Sequence, residues 1–184
     1  MHKIKSVVTP NSIQYFGTEP DPMWHIEASR LKPWLYGKGA DIGCGLRSVL
    51  NDSIRVDCDK RVNPNILSSG DELPFEDDEL DYITSIHSFE HFEDQHRLLA
   101  EWLRVLKPGG IIGIVHPDIQ YTKKQDPLID APGLKANPYN RHWHENTLET
   151  LKETLNNWFD LPFKIIDSGV ACPNWSFYLI IQKK

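Results

Sequence analysis

The 184-residue chain is poor in the features that mark several large protein classes. It has three cysteines, Cys44, Cys58 and Cys172, an odd number with no C-x-x-C pair. That spacing argues against a disulfide framework and a zinc knuckle and predicts free thiols. No apolar run approaches the roughly 20 residues that cross a bilayer, so no membrane span is expected. The first residues, Met1-His2-Lys3-Ile4-Lys5, carry neither an apolar signal core nor an arginine-rich transit pattern, and a cytoplasmic location is the expectation. Acidic residues outnumber basic ones, 26 to 20. A net charge of −6 opposes any role that neutralises many phosphates, which disfavours nucleic acid as a partner. Internal repeats and low-complexity stretches are absent.

What is present is ordinary globular composition, 40% hydrophobic and 25% charged, in a length that suits one domain. Short apolar runs alternate with helical periodicity, the pattern of an α/β domain with a mostly parallel sheet. Asp21-Pro22 followed by Trp24, Ala28, Leu31 and Leu35 predicts a capped helix that Pro33 shortens or kinks, within an N-terminal helical segment 1–37. Strands are expected at Gly39–Ile42, Ile54–Asp57, Asn65–Leu67 and Leu80–His87. The first two are joined by only Leu46 to Ser53 beyond the glycine turn, so the crossover helix should shrink to a turn or two.

From Asp94, the residues Leu98, Leu99, Trp102, Leu103 and Leu106 share one helical face. Lys107-Pro108-Gly109-Gly110 is expected to stop that helix, and Ile111–Val115 reads as a strand buried on both faces. Residues 117–145 lack periodicity and are long for a connection, which predicts a substrate-side insertion. Asn146 with Glu149 suggests a capping box ahead of Leu148, Leu151, Leu155 and Trp158. Lys164–Val170 and Trp175–Ile181 then predict a closing antiparallel hairpin.

Two features carry chemistry. Asp41-Ile42-Gly43-Cys44-Gly45 ends a strand where a doubly wound sheet brings bare backbone to a nucleotide-like ligand. The dinucleotide fingerprint requires a third glycine at position 48, which is Ser, so pyrophosphate binding and a nicotinamide-dependent oxidoreductase are disfavoured alternatives. Asp57 ends the next strand, where a carboxylate accepts both hydroxyls of a ribose, with Asp59 a close rival.

Asp41-Ile42-Gly43-Cys44-Gly45, Val56-Asp57, Leu73-Pro74-Phe75, Phe89-Glu90-His91-Phe92 and the run Leu103 to Gly110 resemble, in order and spacing, the motifs of class I S-adenosylmethionine-dependent methyltransferases. The match spans about residues 38–116. The resemblance implies a three-layer Rossmann-like sandwich over residues 1–184, its seven-stranded sheet mostly parallel with an antiparallel last strand, and S-adenosylmethionine as cofactor. It also implies roles by position. Asp41, Gly43 and Gly45 would line the methionine part of the cofactor, Asp57 its ribose, and Asp71, Glu72 and Leu73 its adenine, while His87 and Ser88 would flank the transfer site. The chain departs from the family at Ser69, where an acid is common, and at Arg47, in place of a third glycine. A non-catalytic domain that keeps the fold is a further alternative.

His87-Ser88-Phe89-Glu90-His91 also fits the zinc-protease pattern H-x-x-E-H, but it follows a strand where that pattern needs a helix, so no metal is expected. His116 and His144 are the candidate bases for methyl transfer to oxygen or nitrogen. The acceptor is expected to be a small molecule, with saccharides and lipid-linked precursors in view, held under 117–145 and the segment around Tyr15, Phe16 and Trp24.

Overall fold

The computed structural model describes residues 7–9, 12–14, 22–125 and 142–184. Tyr15, Phe16 and most of the expected insertion lie outside these described residues. Within the N-terminal segment expected to be helical, β1 (Val7–Thr9) and β2 (Ser12–Gln14) pair antiparallel, and the first helix among the described residues is α1 (Pro22–Leu31). Pro33 then turns the chain into a 3-10 segment, Lys32–Trp34, because its ring cannot continue the α ladder.

Seven strands form the main sheet: β3 (Gly39–Ile42), β4 (Ile54–Asp57), β5 (Ile66–Leu67), β6 (Leu80–Ile86), β7 (Leu106–Pro117), β8 (Phe163–Cys172) and β9 (Ser176–Lys183). Their order is β5-β4-β3-β6-β7-β9-β8. All run parallel except β9, which is antiparallel to both β7 and β8. The expected three-layer sandwich is what forms. On one face Ile83, Ile112, Ile114, Leu179 and Ile181 pack with α2 (Gln95–Val105) and α4 (Leu148–Asn156). On the other, Tyr82, Val115 and Ile180 pack with Ala28 and Leu31 of α1. This two-sided burial explains the unbroken apolar run of β7.

The first crossover contains no helix at all. Val49, in the middle of that connection, is buried in the core on the α1 face, and Leu50 beside it packs against the same cluster. Helix α2 starts at Asp94, whose carboxylate accepts the Arg97 N–H at 2.9 Å, and buries Leu98, Leu99, Trp102 and Leu103.

Three local expectations are corrected. The helix ends at Val105, and Leu106 is the first residue of β7, paired with Leu80. Lys107 to Gly110 therefore lie inside a strand: a register shift there, with Gly109 at φ +81°, absorbs the irregularity that reads as a stop in the sequence. The cap of α4 is Thr147 with Thr150, one residue beyond Asn146 and Glu149, because each threonine hydroxyl accepts the other's backbone N–H. Trp158 lies past the end of that helix and still packs on the core. Within 117–145, Asp118 caps a short helix, α3 (Ile119–Gln125), and the Ile119 N–H donates to the Asn146 carbonyl at 3.1 Å, which ties the two ends of the insertion together.

Trp102 links the core to the loop after β5. Its indole is fully buried and its Nε1–H donates to the Gly70 carbonyl at 2.9 Å. Trp102→Ala is expected to cost about 3–5 kcal/mol through the cavity and the orphaned carbonyl. Urea unfolding measures it, and a loss under 1 kcal/mol contradicts this account.

Candidate functional site

The sheet reverses its winding between β3 and β6, since β4 and β5 lie to one side and β7 to the other. Such a switch point leaves a crevice at the carboxyl ends of the strands. Gly43 and Gly45 follow β3 into that crevice with φ of +66° and +53°. The N–H groups of Gly43 and Cys44 both donate to the Val56 carbonyl, at 2.9 and 3.2 Å, which bends the turn over the end of β4. A side chain at 43 would collide with Ser88, whereas the space beside the Gly45 Cα is empty for 4 Å. Bare backbone therefore faces open space at 45, and Ser88 closes against it at 43.

Asp57 sits at the end of β4 as expected. Its Oδ2 accepts the Gly45 N–H at 2.9 Å and its Oδ1 the Asp59 N–H at 2.8 Å. Each oxygen keeps a further acceptor site for a ligand hydroxyl. Its rival Asp59 is turned to Arg61, which chelates both carboxylate oxygens and holds the acid below its ordinary value. The Arg55 guanidinium stitches the same turn, donating to the carbonyls of Gly45 and Val62 at 2.6 and 2.7 Å.

Whereas Gly43, Gly45 and Asp57 are partly exposed, Asp41 is buried. Its carboxylate is buried beneath the turn, where it accepts Thr84 Oγ1 at 2.9 Å and the Val49 N–H at 3.0 Å. Both oxygens serve to hold the short crossover against β6. Burial raises its pKa from 3.8 to about 7, against the lowering effect of those two hydrogen bonds. Arg47 likewise leaves the turn, its guanidinium lying 5.7 Å from the Trp24 ring centre.

The loop expected beside the adenine passes the end of β3, because Gly70 packs tightly between Ile42 and Phe92. Asp71 bonds to the Ser69 hydroxyl and lies 3.8 Å from Arg97, Glu72 is exposed, and Leu73 is buried. Glu101 accepts the Leu73 N–H, and Arg104 donates to Glu101, Asp77 and the carbonyls of Leu73 and Phe75. The spacing from Leu73-Pro74-Phe75 to Arg104 is thus a physical contact.

His87 follows β6 with φ +54°, a conformation rare outside glycine, and its Nε2 donates to Glu27 at 2.8 Å. Glu27 is buried and also accepts the Ser176 hydroxyl at 2.6 Å. These two partners are new to the site. Glu27 had a readable signal, since it falls three residues after Trp24 and four before Leu31, a charge on the apolar stripe of α1.

His116 is fully buried, stacks on Phe177 and donates from Nδ1 to the Pro117 carbonyl at 2.8 Å, so its lone pair is on Nε2. His144 is partly exposed, with Nε2 bonded to the Glu93 carbonyl at 2.9 Å. The turn Phe89–His91 brings Glu90 and His91 beside His142, a grouping the sequence order hides. A separate cleft of about 460 Å³, lined by Lys152, Leu155, Trp158 and Phe159, contains none of these residues.

Because the folded Asp41 pKa lies above its unfolded value, the protein with the acid protonated is the favoured one. That contribution is complete below about pH 4 and lost as pH rises to about 7. The stability of the parent minus that of Asp41→Asn should fall across this window by on the order of 4 kcal/mol and stay level above it. Urea midpoints from pH 4 to 8 check this, and a flat difference contradicts it.

Residues 40–114 match the family described as a methyltransferase domain. Over 67 residues the chain is 34% identical to the mitochondrial 2-methoxy-6-polyprenyl-1,4-benzoquinol methylase of Leishmania donovani, covering 36% of this chain and 22% of that protein. The chain spans less than half the length of the curated relatives it matches first. In fold it is similar to a SAM-dependent methyltransferase of Thermotoga maritima, with TM-score 0.63, 18% identity, and coverage of 88% of this chain and 89% of that one. The [4+2]-cyclase SpnF shares the fold at TM-score 0.56 and 16% identity, over 86% of this chain and 80% of that one.

Proposed function

We propose, on the premise that residues 40–114 are a class I, Rossmann-like S-adenosylmethionine-dependent methyltransferase domain, that the chain transfers a methyl group to oxygen or nitrogen of a small-molecule acceptor. The observation that carries this reading is the juxtaposition of Gly43, Gly45, Asp57 and Ser88 at the switch point of the sheet. Bound there, the cofactor supplies an electrophilic methyl group on a sulfonium. Gly45 admits it to the backbone, Asp57 accepts its ribose hydroxyls, the segment Asp71-Glu72-Leu73 flanks the adenine, and His87 and Ser88 border the transfer point. Asp41 acts one layer below, holding the turn in shape.

Orientation of donor and acceptor supplies much of the rate. Of the two candidate bases, His144 is the better placed, since His116 is fully covered. Its Nε2–H donates to the Glu93 carbonyl, which leaves the lone pair on Nδ1 to take a proton. The net charge of −6 and the quinol named for the Leishmania relative favour a small acceptor over nucleic acid. Saccharides and lipid-linked precursors fit the aromatic, histidine-bearing surroundings. Three free thiols among the described residues suit the cytoplasm, and no described helix is long and apolar enough to cross a membrane. A second reading, a domain that keeps the fold without methyl transfer, is favoured by the fold shared with a cyclase and by Arg47 turning to Trp24.

Calorimetric titration with S-adenosylmethionine and its demethylated product tests the first reading, with NAD as the competing ligand. The parent should bind the first two, and Asp57→Ala should weaken them about 100-fold or more, through the loss of its charged hydrogen bonds to the ribose hydroxyls. No binding by the parent, or tighter binding of NAD, overturns it. For an acceptor that must lose a proton, His144→Gln should lower turnover about 10²-fold or more with cofactor affinity kept. Full turnover removes His144 as the base.

A further inference from the structure

Residues 142–144 lie across the turn Phe89–His91. The N–H groups of Trp143 and His144 donate to the Glu90 carbonyl at 3.0 and 3.4 Å, and His144 Nε2 reaches the Glu93 carbonyl. This strap brings the His142 ring to 4.8 Å from that of His91. One donor atom from each of Glu90, His91 and His142 lies within 4.8 Å of the others.

The interior beside this group is chemically incomplete. Glu90 is 1% exposed and its Oε2 has no hydrogen-bond partner. His116 is 0% exposed and its Nε2 has none either. Buried polar atoms are almost always paired, and an unpaired carboxylate oxygen is among the costliest exceptions, so a missing ligand is a physical explanation for it. Burial opposes the charge on Glu90, yet the imidazoles of His91, His116, His87 and His142 together hold its pKa below the ordinary value.

We propose that Glu90, His91 and His142 bind a divalent ion of the zinc class, with one coordination position left open. Two imidazoles and a carboxylate are a donor set that zinc accepts, and three protein ligands leave the fourth corner of a tetrahedron free. Bonds of about 2.0–2.1 Å place tetrahedral ligands about 3.3 Å apart, so rotation of the His91 and His142 rings must close the group around the ion. The set is not that of the H-x-x-E-H pattern. His87, its first histidine, is committed to Glu27, and the third ligand arrives from the far end of the 117–145 segment. The open position would take a hydroxyl or water oxygen and lower its pKa, the proton leaving to solvent. That use in methyl transfer rests on the proposed function, whereas the ion site does not.

The full chain, stripped with a chelator and dialysed, is titrated with Zn(II) and separately with Co(II) in the absence of S-adenosylmethionine. One equivalent of zinc per chain is expected, with a rise in thermal midpoint and, for cobalt, the visible bands of a four-coordinate site. His142→Ala, on the partly exposed strap, should lower zinc affinity at least tenfold with an unchanged circular dichroism spectrum, as should Glu90→Gln. His96→Ala should keep it, since His96 pairs with Asp160 away from the group. No stoichiometric zinc on the parent, or equal affinity in parent and His142→Ala, overturns the proposal. Zinc binding without cofactor binding upholds it and removes only the methyl-transfer reading.

Discussion

The carboxylate of Asp41 joins the parts on which the crevice depends. It lies under the glycine turn, on β3, and its two oxygens reach β6 through Thr84 and the short crossover through Val49. A charge in that position is expensive, as the raised pKa records, and the neutral acid is the cheaper form at low pH. What the group supplies in return is geometry. With no helix in the first crossover, Asp41 ties Val49 to the sheet, while the turn ahead of it is held to β4 through the Val56 carbonyl and Asp57. The layer above is secured by Arg55 through the Gly45 carbonyl.

A second set of contacts places the loop after β5. Trp102 and Arg104 project from the same helix, one into the core and one along its rim, and together they fix Gly70, Leu73, Phe75 and Asp77. Arg104 is partly exposed, so its ion pairs add little stability by themselves. Their value is positional, because the loop they fix passes the end of β3 at Gly70. The cofactor side of the crevice is thus built from the backbone and braced from behind by side chains that need not touch a ligand.

The opposite side is built from histidines and acids drawn from four separate stretches: Glu27 on α1, His87 to His91 after β6, His116 on β7 and His142 to His144 on the strap. Its polar groups are only partly satisfied by one another, since Glu90 Oε2 and His116 Nε2 are buried without a hydrogen-bond partner. Buried polar networks left incomplete in this way are a common mark of function.

The sequence by itself determined the class of fold, the order along the chain of the seven strands of the main sheet, the short first crossover and the pairing of the glycine turn with Asp57. Each of these is local: periodicity, turn residues and a strand end are legible within a window of about ten residues. The tertiary structure alone decided that Asp41 braces the turn from below, that Arg104 meets the segment around Leu73, and that Lys107 to Gly110 lie in a strand. It also decided that His142 stands beside Glu90 and His91, while His87 meets Glu27 through Nε2 and lies 3.9 Å from Glu90 through Nδ1. These depend on which strand ends become neighbours, and the chemistry of a carboxylate or an imidazole is set by the burial and partners that such neighbours create.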